Sequence, residues 1–88
     1  MTTTFRASFL RDVRKLRDPD LLARIGSVVE AIEAARDLRD VPDLKKLSGT
    51  SGFYRIRVGD YRIGAVSDGE SVEFVRVLHR RDIYRSFP

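Results

Sequence analysis

Cysteine is absent from this chain of 88 residues, and histidine occurs only once. Without cysteine there is no disulfide framework, and one histidine is too few for an ordinary zinc site. We therefore expect neither metal-assisted chemistry nor a bound cofactor. Long apolar runs are also absent, since none approaches the roughly 18 residues that a membrane span needs. The N-terminal segment MTTTFRASF lacks the apolar core of a signal peptide, so a cytoplasmic location is expected.

Lysine is scarce relative to arginine. The chain has 17 Lys and Arg residues, of which only Lys15, Lys45 and Lys46 are lysines. Guanidinium groups bind phosphate through two parallel hydrogen bonds, so the excess of arginine is compatible with a phosphate ligand. A compositional bias of the source genome explains the surface arginines of the helices at least as well.

The net charge is +4 and the sequence pI is near 10.0, which permits nucleic acid or an acidic protein as a partner. Residues 1–52 carry ten Lys/Arg and eight Asp/Glu, and residues 53–88 carry seven and five, so each part is +2. Any basic patch must therefore come from folding. The length predicts one small domain over residues 1–88, with a modest core.

The N-terminal half predicts a strand and two helices. Thr2–Ala7 alternates as a short strand does. Ser8 can cap a first helix, and the DPD sequence at residues 18–20 supplies an N-cap, a first-turn proline and an acidic residue for a second. The second helix is predicted to end near residue 36 or 37. The apolar positions are Phe9, Leu10, Val13 and Leu16 in the first helix and Leu21, Leu22, Ile25, Val28, Val29, Ile32 and Ala35 in the second.

The C-terminal half predicts three strands. Residues 37–52, with Leu44 and Leu47 as apolar anchors, are predicted to form a loop. A hairpin follows, and a second turn signal at residues 68–69 leads into a strand over Val72–Leu78. Residues 79–88 are predicted to form either a short helical turn or an extended arm. The order β-α-α-β-β-β predicts an α+β domain in which a helical pair packs on an antiparallel sheet, with the first strand at an edge or beside the last strand.

The hairpin FYRIRVGDYRIG, residues 53–64, is the most informative segment. Strands over Tyr54–Val58 and Tyr61–Val66 flank a Gly59-Asp60 turn, in which glycine accepts the positive φ that this turn type requires. The two-residue turn predicts Val58 opposite Tyr61, Arg57 opposite Arg62 and Ile56 opposite Ile63. Arg55, Arg57 and Arg62 then share one face. Like charges directly opposite each other destabilise a hairpin, so their clustering favours an anionic ligand. A solvated sheet face is the alternative.

Other candidate residues lie near the C-terminus. His79, Arg80 and Arg81 follow the last strand, where side chains can lie beside the sheet face, although a basic triplet is usually surface. An imidazole titrates in the range that suits proton transfer, but a lone histidine is more often structural. Tyr84 can stack on a base, or it can pack the tail. No nucleophile elbow, phosphate loop or carboxylate pair is present.

Three segments resemble the toxins of type II toxin–antitoxin systems in the RelE/ParE superfamily: LKKLSG at residues 44–49, FYRIRVGDYRIG at 53–64 and HRRDIY at 79–84. The resemblance implies an α+β fold with a four-stranded antiparallel sheet, a cytoplasmic location and a cognate antitoxin, expected to be acidic. RelE-like members enter the ribosomal A site and cut mRNA without metal. ParE-like members inhibit DNA gyrase and lack the nuclease residues.

The resemblance favours the RelE-like branch because every position of the nuclease motif is filled. The motif has two basic residues before the hairpin turn, an arginine after it, an arginine beyond the last strand and a tyrosine in the tail. The matching residues are Arg55 and Arg57, then Arg62, then Arg80 with Arg81 as its competitor, and Tyr84. Lysine is familiar at the first two positions in the best-known nuclease of this branch, and here both are arginine. Arginine stays protonated, so Arg55 and Arg57 are predicted to stabilise charge and not to move protons.

The expected function is therefore that of an mRNA interferase. By the resemblance, the 2′-hydroxyl of the mRNA attacks the adjacent phosphate and leaves a cyclic phosphate and a free 5′-hydroxyl. The scissile phosphate would be bound and neutralised by Arg55, Arg57, Arg62 and Arg80. Tyr84 would stack on a base or orient the nucleophile, and His79 would assist proton transfer. A ParE-like gyrase inhibitor and a degenerate toxin that only binds its antitoxin are the alternatives.

Overall fold

The structure is a computed structural model that describes residues 1–49 and 51–88. None of the helices that it describes is long and apolar enough to cross a bilayer. The elements are β1 (Thr2–Phe5), α1 (Ala7–Lys15), α2 (Pro19–Ala34), a 3₁₀ turn (Leu38–Asp40), β2 (Leu44–Lys46), β3 (Phe53–Val58), β4 (Tyr61–Ser67), β5 (Ser71–His79) and α3 (Ile83–Ser86).

The sheet has five strands in the order β1-β5-β4-β3-β2. β1 lies at an edge of the sheet and beside β5, so it meets both predicted placements. It runs parallel to β5, while the other neighbours are antiparallel. The prediction of a four-stranded antiparallel sheet is therefore wrong in strand number and in the direction of β1. The extra strand, β2, lies in the segment predicted to be a loop. It was not predicted because three residues are too few to show a strand's alternation. Residue 50, also in that predicted loop, lies outside the described residues.

The register of the central hairpin is confirmed. Arg57 pairs with Arg62, and the two neighbouring pairs also match the prediction. Gly59, the first residue of the turn, has a φ of 60°, which a residue with a Cβ rarely adopts. A two-residue turn leaves no slack between the strands, so the local sequence is sufficient to set the pairing.

The first helix begins earlier than predicted, and its cap is different. Ala7 is helical, so β1 ends at Phe5, and Arg6 occupies the N-cap position without a side-chain cap. The backbone N–H of Arg6 donates to the carbonyl of Phe74 at 2.9 Å, which closes the ladder between β1 and β5. The hydroxyl of Ser8 does not cap the helix, because it donates to the carbonyl of Val75 at 2.6 Å and ties α1 to the sheet.

The second helix has the predicted start. The Asp18 carboxylate accepts hydrogen bonds from the backbone N–H groups of Asp20 and Leu21, at 3.0 and 3.2 Å, and Pro19 is the first helical residue. The helix ends at Ala34, two residues before the earlier of the two predicted ends, because Ala35 is already extended.

The main core lies between the two long helices and one face of the sheet. Tyr54 and Tyr61 pack against this core, as the alternation predicted. The buried residues of the core are Phe9, Leu21, Ile25, Ile32, Leu38, Val41, Ile56, Val58, Ile63, Ala65, Val72, Phe74 and Val77. We call this the helix side of the sheet. It contains no arginine of the hairpin, since these alternate to the opposite side.

A second, smaller core lies on the opposite side of the sheet, beneath α3. The buried residues there are Leu47, Val75, Ile83 and Phe87. The tail therefore forms a short helical turn, the first of the two predicted forms, followed by an anchored aromatic ring. Phe87 lies directly over Gly64 of β4, where a Cβ would come within 2.6 Å of its ring. The missing side chain of Gly64 is what lets the tail lie flat on the sheet.

Candidate active site

A cleft beside α3 collects most of the residues that the sequence predicts for the site. Its volume is about 350 Å³, and its lining is formed by Asp43, Leu44, Lys45, Arg55, Arg57, Arg62 and Tyr84. We call this cavity the arginine cleft. It brings together four of the predicted residues, Arg55, Arg57, Arg62 and Tyr84, and adds a lysine and an aspartate that were not predicted.

Strand pairing places the cations of the arginine cleft side by side. Arg57 lies opposite Arg62 across the β3–β4 ladder, and Lys45 lies opposite Arg55 across the β2–β3 ladder. Since Cα atoms of paired residues are about 4.5–5.5 Å apart, four cationic side chains rise from a small area of one sheet face. Such an array favours binding of an anion with several oxygen atoms, of which a phosphodiester is one.

Tyr84 contacts the cleft through Arg55. The Arg55 guanidinium carbon lies 4.6 Å from the centre of the Tyr84 ring, in a cation–π contact. Tyr84 is 65% exposed, while its neighbour Ile83 and Phe87 are buried. The tail is thus anchored on both sides of Tyr84, which holds an aromatic ring at the rim of the cleft with most of its surface free for stacking.

Arg62 is held by the hairpin turn. Its Nη1 donates to the carbonyl oxygens of Gly59 at 2.8 Å and Tyr61 at 2.9 Å. A guanidinium has five N–H donors, so these two bonds orient the group and leave donors for a ligand. The turn that sets the register of the hairpin therefore also positions this side chain.

Asp43 supplies a carboxylate inside the arginine cleft. Its Oδ1 lies 3.1 Å from Nη2 of Arg57, and its backbone carbonyl accepts from the N–H of Arg57, also at 3.1 Å. Asp43 has a φ of 62°, which is uncommon for a residue other than glycine. Both side chains of the ion pair are at least half exposed, so their attraction is weak and a phosphate can replace the carboxylate.

Three predicted residues lie elsewhere, since none of His79, Arg80 and Arg81 is among the described residues that line the cleft. Arg80 lies at the turn end of the hairpin, where its N–H donates to the carbonyl of Asp60 at 2.8 Å and its Nε is 4.0 Å from the Asp60 carboxylate. The N–H of Arg81 donates to Nδ1 of His79 at 3.2 Å.

His79 is on the opposite side of the sheet from the arginines. It pairs with Tyr61 across the β4–β5 ladder, and the two rings meet edge to face with centroids 5.5 Å apart. Leu78, the residue before it, pairs with Arg62. Because side chains alternate along a strand, His79 faces the helix side. The face on which His79 lies depends on the register of β5 against β4. That register shifts between residues 64 and 65 of β4, so the sequence pattern alone does not show the face.

Lys45 and Asp43 were missed because β2 was predicted to be a loop. Neither residue has a periodic pattern around it that would indicate a strand or a site. Only the pairing of β2 with β3 brings Lys45 opposite Arg55. Within residues 1–49 and 51–88, no group of three or more histidine or acidic side chains is placed to hold a metal ion.

Comparison with known proteins identifies the family. Residues 4–84 match the sequence family described as the ParE toxin of the type II toxin–antitoxin system parDE. Toxin RelE3 of Methanocaldococcus jannaschii is 38% identical over 89 aligned residues, which cover all of both chains.

Solved structures agree with this assignment. A chain of the RelB–RelE antitoxin–toxin complex from Methanococcus jannaschii superposes with a TM-score of 0.81 at 36% identity, over 97% of this chain and 99% of that one. A chain of the toxin–antitoxin complex RelBE2 from Mycobacterium tuberculosis superposes with a TM-score of 0.70 at 29% identity, over 90% and 96%. The chain therefore belongs to the RelE/ParE superfamily of type II toxin–antitoxin toxins, and its similarity to proteins named RelE supports the RelE-like branch.

Proposed function

We propose that this protein is a RelE-like toxin that cleaves mRNA bound to the ribosome. The observation that carries the proposal is the arginine cleft, in which Arg55, Arg57, Arg62 and Lys45 line one cavity beside the exposed ring of Tyr84. A ParE-like inhibitor that only binds gyrase has no need for several cations and a stacking ring around one cavity of this size.

The cleft suits cleavage by the RNA's own 2′-hydroxyl. As the 2′-oxygen attacks phosphorus, negative charge builds on the two non-bridging oxygens of the phosphate. Arg57 and Arg62, which pair across β3 and β4, would donate to those oxygens from one side. Cations positioned before the reaction stabilise this charge without further reorganisation. Tyr84 would stack on a base next to the scissile phosphate, and Arg55 would hold the ring in place.

The proposal assigns phosphate binding to the cleft and leaves His79 outside it. His79 lies beside Tyr61 on the helix side, so it cannot reach the phosphate that Arg57 and Arg62 would hold without a rearrangement of β5. Arg80, next to Asp60 at the turn end of the hairpin, would contact the RNA backbone at a neighbouring phosphate.

The ribosome would supply the alignment of the substrate. The arginine cleft lies on the surface of a protein of 88 residues, which is too small to enclose an RNA strand. Holding nucleophile, phosphate and leaving group in line accounts for a large part of a cleavage barrier, and a bound mRNA on the ribosome is already ordered. Cleavage would therefore depend on the ribosome, because the protein supplies the cations and the ribosome aligns the RNA.

The proposal includes a cognate antitoxin. The related chains from Methanococcus jannaschii and Mycobacterium tuberculosis were solved as toxin–antitoxin complexes, the former with RelB. With a net charge of +4, this chain would favour an acidic antitoxin segment.

Brief induction in cells followed by primer extension on abundant mRNAs tests the nuclease directly. We expect new 5′ ends within coding regions and arrest of translation, and neither on induction of Arg62→Ala. Filamentation and DNA-damage signalling with intact mRNA would support the gyrase inhibitor. Sustained growth on full induction without antitoxin would support a degenerate toxin.

A further inference from the structure

The proposed cleavage needs a proton donor that the arginines cannot provide. When the bond between phosphorus and the 5′-oxygen breaks, that oxygen must gain a proton to leave as a hydroxyl. Guanidinium groups do not release protons near neutral pH, so Arg55, Arg57 and Arg62 can only bind and neutralise. The donor must be another group that reaches the cleft.

Two of the remaining polar side chains of the cleft have other contacts. The Asp43 carboxylate pairs with Arg57 at 3.1 Å and, being ionised, only accepts hydrogen bonds. The ring of Tyr84 is held by Arg55 at the rim, where its broad face suits stacking. Lys45 alone among the described cations of the cleft carries an ammonium, and it has no ion pair or hydrogen bond through that group with a described residue.

The position of Lys45 also fits. It lies opposite Arg55 on the neighbouring strand. It lines both the arginine cleft and a second cavity of about 260 Å³, which Arg55, Tyr84 and Phe87 also line. Its side chain is exposed, so the flexible four-carbon stem can extend over the phosphate. An RNA strand that places a phosphate against Arg57 and Arg62 and a base against Tyr84 therefore passes Lys45.

We propose that the ammonium of Lys45 protonates the leaving 5′-oxygen. The inference rests on the proposed nuclease function. The bond from the 2′-oxygen to phosphorus forms as the bond from phosphorus to the 5′-oxygen breaks. The proton of the 2′-hydroxyl passes to water, the 5′-oxygen takes its proton from Lys45, and the amine then regains a proton from water. Strand β2 places this lysine opposite Arg55, on the same sheet face as the hairpin arginines.

Lys46 provides a matched control on the same strand. It lies opposite Tyr54, on the side of β2 away from the cleft, and lines a groove with Asp37 and Arg39 of the chain before β2. Both lysines are exposed, and they differ by one position in a three-residue strand. The same substitution at either position therefore changes the net charge equally, but only the one at Lys45 alters the arginine cleft.

The test uses programmed ribosomes and an mRNA with sulfur in place of the 5′-oxygen at the mapped cleavage position. A thiolate leaves without protonation, so a proton donor contributes little on this substrate. We expect Lys45→Gln to slow single-turnover cleavage of the oxygen substrate by at least about 100-fold and to approach the wild-type rate on the sulfur substrate. Lys45→Arg keeps the charge and should show the same recovery on sulfur, with little change in KM.

The controls separate this inference from the proposed function. Lys46→Gln should match the wild type on both substrates, and Arg62→Ala should be slow on both because it lacks a phosphate contact. Equal losses for Lys45→Gln on oxygen and sulfur, or no loss on oxygen, would overturn the role of Lys45 and leave the nuclease intact. If the wild-type protein cuts neither substrate, the nuclease proposal itself fails.

Discussion

At the scale of single residues, Arg62 combines a structural contact with a free functional group. Its guanidinium is oriented by two carbonyls of the turn, and the same side chain lines the cleft. Loss of one preorganised donor that stabilises developing charge costs about 2.7–4 kcal/mol in a reaction barrier. Arg62 is half-buried and its side-chain hydrogen bonds go only to its own turn, so its loss is expected to change the free energy of unfolding by about 1 kcal/mol or less.

We therefore expect Arg62→Ala to lower the cleavage rate about 100-fold or more, with little change in melting temperature or antitoxin binding. In vitro cleavage on ribosomes and thermal unfolding would measure the two effects. Arg11→Ala, which removes an exposed arginine from α1, is the matched control for net charge. Growth arrest by Arg62→Ala at wild-type strength would show that Arg62 has no role in the reaction.

Asp43 is expected to have the opposite effect on binding. Its carboxylate forms an ion pair with the Arg57 guanidinium in the free protein and would repel a phosphate that approaches the same group. Because the pair is well exposed, Asp43→Asn should tighten binding of single-stranded RNA by only about two- to fivefold. Fluorescence anisotropy at low and high salt would measure this, and the gain should shrink as salt screens the charges. Weaker binding by Asp43→Asn would mean that the carboxylate positions Arg57 and does not compete for it.

At the scale of elements, the tail depends on one glycine. Gly64 lies under Phe87, and this contact fixes α3 and, through it, Tyr84 beside Arg55. A side chain at Gly64 would displace the ring and shift the tail. The cleft and the small core beneath α3 are thus coupled through this contact.

We expect Gly64→Ala to lower the free energy of unfolding by about 1–3 kcal/mol through overpacking and to reduce cleavage because Tyr84 moves. Urea denaturation and single-turnover cleavage would measure the two losses. Gly26→Ala is the matched control, because a Cβ at Gly26 meets nothing within 4 Å on α2. That change should stabilise the protein by about 0.5–1 kcal/mol. If Gly64→Ala is as stable as the wild type, Phe87 does not pack there in solution.

At the scale of the whole molecule, a buried ion pair joins the helical layer to the sheet. Asp12 of α1 is 6% exposed and binds Nε and Nη2 of Arg76 at 2.7 and 3.1 Å, and it also accepts from the backbone N–H of Val77. The hydrogen bonds that Arg76 donates to the Asp12 carboxylate raise the pKa of Arg76 above its usual value. Removing one partner leaves the other charge without its counter-ion in a partly buried site.

We expect Asp12→Ala to lower the free energy of unfolding by about 3 kcal/mol, at the lower end for buried pairs because Arg76 is partly exposed. The double variant Asp12→Leu with Arg76→Leu should be much closer to the wild type, since an apolar pair leaves no uncompensated charge. Urea denaturation at neutral pH would measure both. Equal losses in the single and double variants would show that the site depends on apolar packing and not on the ion pair.

The predictions from sequence succeeded where one local feature was sufficient. Asp18 caps α2 because its own side chain reaches N–H groups two and three residues ahead. The facing of Arg57 and Arg62 follows from a turn of two residues between them. In both cases the interacting groups are a few residues apart, so the pattern and the contact occupy the same stretch of chain.

The failures concern groups that meet across long stretches of chain. Ser8 was predicted to cap α1, but its hydroxyl contacts Val75 on β5. Predicting the sheet as four antiparallel strands missed both β2 and the parallel path of β1. His79 was grouped with the arginines because it follows the last strand, although the strand presents it on the other face.

Local sequence alone specifies the hairpin, its arginine face and the capped second helix, because short-range geometry leaves one arrangement for each. Completion of the arginine cleft depends instead on contacts between distant parts of the chain. Pairing of the three-residue strand β2 with β3 brings Lys45 to the cleft, and packing of Phe87 over Gly64 holds the tail that carries Tyr84. These contacts join residues far apart in the chain, and their free energy comes from packing and pairing that no local pattern encodes.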